Sequence, residues 1–151
     1  MKKFGIIVAI LIAVMGLYAP VHASSISDLL SKGEGDSGFK LIHSQELASM
    51  MATPNSKVTV FDANSPDVRQ EEGVIPGAHL LASSSHYDVG TTLPPDKNTP
   101  LVFYCHDTLC MASHAAARRA VKAGYKNVSV MADGIVGWKD AGEKTASAQA
   151  D

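Results

Sequence analysis

The sequence predicts an α/β fold, a sandwich around a mostly parallel central sheet flanked by helices. Three observations carry this expectation. Short runs with strand character alternate along the chain with segments of helical spacing. One run, Val58-Thr59-Val60-Phe61-Asp62, is apolar enough to be buried on both faces, as strands of covered parallel sheets are. Another, Leu101-Val102-Phe103-Tyr104, runs straight into Cys105, and a helix opens at Ser113.

The chain has 151 residues, 46% hydrophobic and 19% charged, with a net charge of −2. That length suits one domain. The composition excludes a disordered or low-complexity chain. A nucleic-acid binder would carry a basic stripe, and no block of like charge is present.

Lys2 and Lys3 precede an apolar stretch from Phe4 to Ala19, and Pro20-Val21-His22-Ala23-Ser24 follows, with small residues at Val21 and Ala23. A basic start, an apolar middle and a small-x-small end describe a secretory signal peptide over residues 1–23. The alternative is a membrane anchor left uncleaved, because the apolar run approaches spanning length. Cleavage after Ala23 removes two lysines and no acids, leaving eleven bases against fifteen acids, a net charge of −4. About 128 residues then remain, enough for one hydrophobic core and without a membrane segment.

Residues 24–38 interleave Gly33, Gly35 and Gly38 with polar residues and read as a flexible leader. Phe39 to Ile42 is a short strand. Ser44 is the expected N-cap of a helix carrying Leu47, Met50 and Met51 at helical spacing, broken by Pro54-Asn55-Ser56. After the Val58–Asp62 strand, Asn64 to Gly77 reads as loop, with Gly73, Pro76 and Gly77 shaping a turn. Ala78 to Leu81 is a short strand, and Ser83 to Lys97 is a polar connection with a turn at Pro94-Pro95. The helix from Ser113 through Ala123 stops at Gly124. Val128 to Met131 is the last strand, Asp133-Gly134 turns into a segment containing Trp138, and residues 143–151 are expected to fray. Phe61, Tyr125 and Trp138 are expected in the core. His43, His79 and His86 are read as structural or exposed, and Arg118 and Arg119 as a solvated helix face.

In an oxidising compartment two cysteines usually form one structural disulfide. Cys105 and Cys110 lie five positions apart in one loop. Closing so small a ring removes little unfolded-state entropy, so their placement asks for a chemical explanation. The loop reads Cys105-His106-Asp107-Thr108-Leu109-Cys110-Met111-Ala112. A loop wrapped over a helix N-terminus points several backbone N–H groups at one spot. It is expected to seat an anion and to lower the Cys105 pKa toward neutrality, making the thiolate a nucleophile. His106 has two readings, a helper of the cysteine or a solvent-facing loop residue.

Five landmarks in order resemble the rhodanese family of sulfurtransferases across roughly Phe39 to Gly142. They are Val60-Phe61-Asp62-Ala63, Glu72-Gly73-Val74-Ile75-Pro76-Gly77-Ala78, Val102-Phe103-Tyr104-Cys105, Ala123-Gly124-Tyr125-Lys126-Asn127-Val128 and Asp133-Gly134-Ile135-Val136-Gly137-Trp138. The resemblance implies a rhodanese-like three-layer sandwich over residues 39–142 and a cycle through a persulfide on Cys105, with no cofactor. Cys105 would take sulfane sulfur from a small donor and pass it to a thiol or protein acceptor. Backbone N–H groups of His106, Asp107, Thr108, Leu109, Cys110 and Met111 would cradle the anionic sulfur, and Asp62 would support the loop from behind. An exported thiol enzyme needs a nearby supply of electrons, which favours the periplasm and a thiol reductase partner.

The chain also departs from the family pattern. Its loop has no Arg or Lys, and Asp107 adds negative charge, which disfavours a dianionic donor such as thiosulfate. Asn64 stands where many members have arginine. Cys110 resembles a subgroup with two loop cysteines, and it is a candidate resolving thiol that would make the loop a thiol-disulfide or sulfur relay. A phosphatase would need an arginine six positions after the cysteine, where Met111 stands. Cys105, His106, Cys110, Met111 and His114 leave a copper-binding reading open, and a non-catalytic binding module is the remaining alternative.

Overall fold

The computed structural model describes residues 38–148. The signal peptide expected over 1–23 and the leader up to residue 37 lie outside the described residues. Ten elements follow in order: β1 (Lys40–Ile42), α1 (Ser44–Ala52), β2 (Thr59–Asp62), α2 (Pro66–Glu72), β3 (His79–Leu80), α3 (Val89–Thr92), β4 (Leu101–Tyr104), α4 (Ala112–Lys122), β5 (Val128–Met131) and α5 (Gly134–Asp140). The strands form one sheet in the order β1-β5-β4-β2-β3, and every pair is parallel. Among the described residues, no helix is long and apolar enough to cross a membrane.

Strand alternation divides the interior into two layers. Leu101, Phe103 and Cys105 pack with Phe61, Val128 and Val130 against Ala116, Ala117 and Ala120 of α4. Val102 and Tyr104 point the other way, joining Val60, Leu47 of α1, Ile75, and Ile135 and Trp138 of α5. β4, flanked by β5 and β2, is buried along its whole length. Alanine on the inner stripe of α4 lets that helix lie close to the strands, which brings its N-terminal end over the end of β4. The result is the three-layer α/β sandwich expected from the alternation of elements.

Three local expectations are corrected. The stretch from Asn64 to Gly77 holds a helix, α2, with Ser65 at its N-cap position, Pro66 in its first turn and Gly73 closing it at φ 79°. Those are ordinary helix start and stop signals, but seven residues with few apolar positions show little periodicity. Ser44 is not the N-cap of α1. It is that helix's first residue, and the cap comes from Asp133, whose Oδ2 accepts from Ser44 N at 2.8 Å and from Ser44 Oγ at 3.1 Å. The tail is held rather than frayed as far as Ala146. Val74 and Ala146 exchange backbone hydrogen bonds of 2.9 and 2.8 Å, and the Trp138 indole donates to the Lys144 carbonyl at 3.0 Å.

Candidate active site

Cys105 stands where β4 ends and the chain turns toward α4. In open α/β sheets this end of the strands is where chemistry collects. The loop is anchored from α5: Ile135 N donates to the Cys105 carbonyl at 2.8 Å and Val136 N to the His106 carbonyl at 3.1 Å. Gly134 makes that approach possible. A Cβ there would lie 2.3 Å from the His106 carbonyl oxygen, and the residue's φ of +67° favours glycine independently.

Cys105 is only 1% exposed. Its thiol donates to the carbonyl of Cys110 at 3.1 Å, and its sulfur lies 3.2 Å from the Ser113 hydroxyl. Ser113 is itself buried in the first turn of α4. Both cysteines are free thiols, Cys105 buried and Cys110 half-buried. The expected lowering of the Cys105 pKa is overturned. Burial pushes the thiol up to about 11, a hydrogen bond with Cys110 adds to the rise, and the Ser113 hydroxyl and N–H pull down without offsetting it. Removing the thiolate from water outweighs the helix terminus.

The rest of the loop is organised by Asp107. Its Oδ1 accepts from Leu109 N at 2.9 Å and from Cys110 N at 3.1 Å. Two of the N–H groups expected to cradle a substrate anion are therefore satisfied by the chain's own carboxylate. Asp107 Oδ2 lies 3.1 Å from His106 Nδ1, while His106 Nε2 lies 3.7 Å from Glu72 Oε1. Glu72 Oε2 accepts from Lys139 Nζ at 2.6 Å. That Lys139 hydrogen bond holds the Glu72 carboxyl below its usual range. His106 is thus turned toward two carboxylates rather than toward the Cys105 sulfur. Thr108, Leu109 and Met111 are exposed, Leu109 most of all at 87%.

The candidate metal ligands diverge. His106 faces Glu72 and Asp107, and His114 packs edge-on against Phe39 at 5.6 Å. Among the described residues, no group of three or more His, Cys, Asp and Glu side chains is placed to hold a metal ion.

Behind the cysteine lies a fully buried carboxylate. Asp62 Oδ2 accepts from the Tyr104 hydroxyl at 2.6 Å, and Oδ1 accepts from Asn64 N at 2.6 Å and from Arg69 Nε at 3.2 Å. Arg69 Nη2 also donates to the carbonyls of Asp62 and Leu81, at 3.0 and 2.9 Å. Ile75 N donates to the Tyr104 hydroxyl at 3.0 Å. Asp62 therefore ties β2, α2 and the turn at Ile75 to the residue preceding Cys105.

The rhodanese-like domain model matches residues 43–141. The chain belongs to the rhodanese-like domain family. No curated protein matches its sequence. Among solved structures, a protein of unknown function from Rhodopseudomonas palustris CGA009, described as a possible tyrosine phosphatase, is 21% identical at TM-score 0.60, covering 82% of this chain and 96% of that one. The rhodanese-like domain of an Anabaena protein is 19% identical at TM-score 0.57, covering 74% and 86%. A thiosulfate sulfurtransferase from Pseudomonas aeruginosa is 20% identical at TM-score 0.59, covering 74% of this chain but 21% of that one. These likenesses support the fold.

Within this rhodanese-like domain, Arg69, Tyr104, Ser113 and Glu72 complete the surroundings of the loop and were not anticipated. Arg69 brings from α2 a guanidinium to the aspartate that Asn64 does not supply. Ser65-Pro66 marks a helix start, but only the hydrogen bonds to Asp62 and Leu81 show that Arg69 faces inward. Asp107's self-capping also has a sequence signal, because aspartate often bonds backbone two or three residues ahead.

Proposed function

We propose that this rhodanese-like domain is a sulfurtransferase that carries sulfane sulfur as a persulfide on Cys105. The observation that carries the reading is a cysteine at the end of the central strand of a parallel sheet, on a loop closing onto a helix. Cys105 attacks the outer sulfur of a donor. The donor's sulfur–sulfur bond breaks, a new one forms on Cys105, and the thiol proton leaves with the departing thiol. A thiol acceptor then attacks the outer sulfur and regenerates Cys105. The basic, apolar and small-x-small segments of the first 23 residues support export to a periplasm, where a thiol reductase would keep the cysteines reduced.

The test is to reduce the protein, remove the reductant, add a sulfane-sulfur donor and weigh the intact chain. A gain of one sulfur, absent in Cys105→Ser, is expected. An unmodified Cys105 across thiosulfate and a panel of persulfide donors would sink the reading. The Cys105 hydrogen bond to the Cys110 carbonyl brings the two cysteines together and favours a second reading, a dithiol relay. In a relay the Cys110 thiol attacks Cys105 of the persulfide, hydrosulfide leaves and a disulfide closes. The chain ends two hydrogens lighter than its reduced form, and turnover fails in both Cys105→Ser and Cys110→Ser.

A further inference from the structure

Resting on the sulfurtransferase reading, we propose that Asp107 determines donor class, turning the loop away from oxyanionic donors such as thiosulfate and toward organic hydropersulfides. Asp107 is not merely a negative residue near the cysteine. Its carboxylate occupies two N–H groups, those of Leu109 and Cys110, that an incoming anion would otherwise use. The nitrogen donors nearby are committed as well. His106 lies between Asp107 and Glu72, and Lys139 is bound to Glu72. On the far side of the cysteine stands α4. There Ser113 is neutral, burial and Arg118 push the His114 pKa down, and Arg118 is exposed. The rim facing solvent is Thr108, Leu109 and Met111, all uncharged.

An oxyanion approaching Cys105 therefore finds two of the loop's N–H groups already taken by a carboxylate of its own sign. Thiosulfate arrives with two negative charges and must build up the charge of sulfite as its sulfur–sulfur bond breaks, so it is opposed both on binding and in bond cleavage. A hydropersulfide, R–S–SH, arrives with one charge or none at its reacting sulfurs. Cys105–SH and R–S–SH give Cys105–S–SH and R–SH. One sulfur–sulfur bond breaks and one forms, and no external oxidant or reductant is consumed.

The experiment measures loading of Cys105 in the full chain from thiosulfate and from glutathione hydropersulfide, for the wild type, Asp107→Asn and Asp107→Ala. The quantity read is the ratio of the two rates. Asparagine keeps an oxygen acceptor for the Leu109 and Cys110 N–H groups while removing the charge, so the turn survives. Alanine removes both the charge and the plug. The ratio is expected to favour hydropersulfide in the wild type, to shift toward thiosulfate by at least about tenfold in Asp107→Asn, and to shift further in Asp107→Ala. Added salt should narrow the gap between wild type and Asp107→Asn. A ratio unmoved in Asp107→Asn, or a wild type that prefers thiosulfate, overturns the assignment while leaving sulfur transfer intact. A wild type that loads from neither donor overturns the sulfurtransferase reading, and this assignment with it.

Discussion

The Tyr104 hydroxyl donates to Asp62 Oδ2 at 2.6 Å, joining the central strand to its neighbour one residue before the cysteine. Burial, reinforced by the Asp62 carboxylate, pushes the Tyr104 phenol far above its usual pKa, so it stays a donor at any working pH. Tyr104→Phe leaves both Asp62 Oδ2 and Ile75 N without this partner in the interior. The expected cost is about 1–3 kcal/mol, the range for stranding buried polar groups. Urea denaturation should show a lower midpoint with an unchanged slope.

Arg69 holds the same carboxylate through its charge. Both residues are buried, so removing the guanidinium leaves a carboxylate with little access to water. Arg69→Met should destabilise by about 3–5 kcal/mol, as breaking one side of a buried pair does. Arg69→Lys should recover part of the loss, because an ammonium restores the charge without the planar fork that reaches Asp62 and Leu81 together. Equal midpoints for the two variants would show that the charge contributes nothing.

The strands were readable because covered parallel strands leave dense apolar runs, and Val60–Asp62 and Leu101–Tyr104 are such runs. Cys105's address at a strand end was readable for the same reason. The Cys105 pKa was not. Loop spacing reports the helix terminus ahead of the cysteine but says nothing of how deeply the sulfur is buried, and burial decides the shift. The occupancy of the expected cradle was hidden for a related reason: counting backbone N–H groups does not reveal that Asp107 has claimed two of them. The helix α2 was missed because Arg69 faces inward by hydrogen bonding, and a polar residue on an inner face breaks the apolar period.

Gly134 couples the Cys105 loop to α5. A methyl group there meets the His106 carbonyl carbon and oxygen at 2.5 and 2.3 Å, backbone atoms that cannot swing aside. The φ of +67° adds a left-handed penalty of about 1–2 kcal/mol for alanine. Gly134→Ala is therefore expected to lower thermal stability and to lift the loop from Ile135 N and Val136 N. The second effect separates it from simple strain: Cys105 should be alkylated faster by iodoacetamide in the folded variant than in the wild type.

The Cys105 thiol, pushed up to about 11 by burial, makes a prediction whose sign is unambiguous. Iodoacetamide reacts with thiolate, and below the pKa the thiolate fraction rises tenfold per pH unit. Alkylation of Cys105, followed by peptide mapping, should climb about tenfold per unit from pH 7 to 10 and level off only near 11. In the urea-unfolded chain the same cysteine should level off near an ordinary thiol pKa of about 8.5. Ser113 supplies the internal control. Its hydroxyl favours the thiolate, so Ser113→Ala, which removes the hydroxyl and keeps the N–H, moves the pKa further up and slows alkylation at pH 8. A Cys105 profile that levels below pH 8 would show that the helix terminus, rather than burial, governs the sulfur.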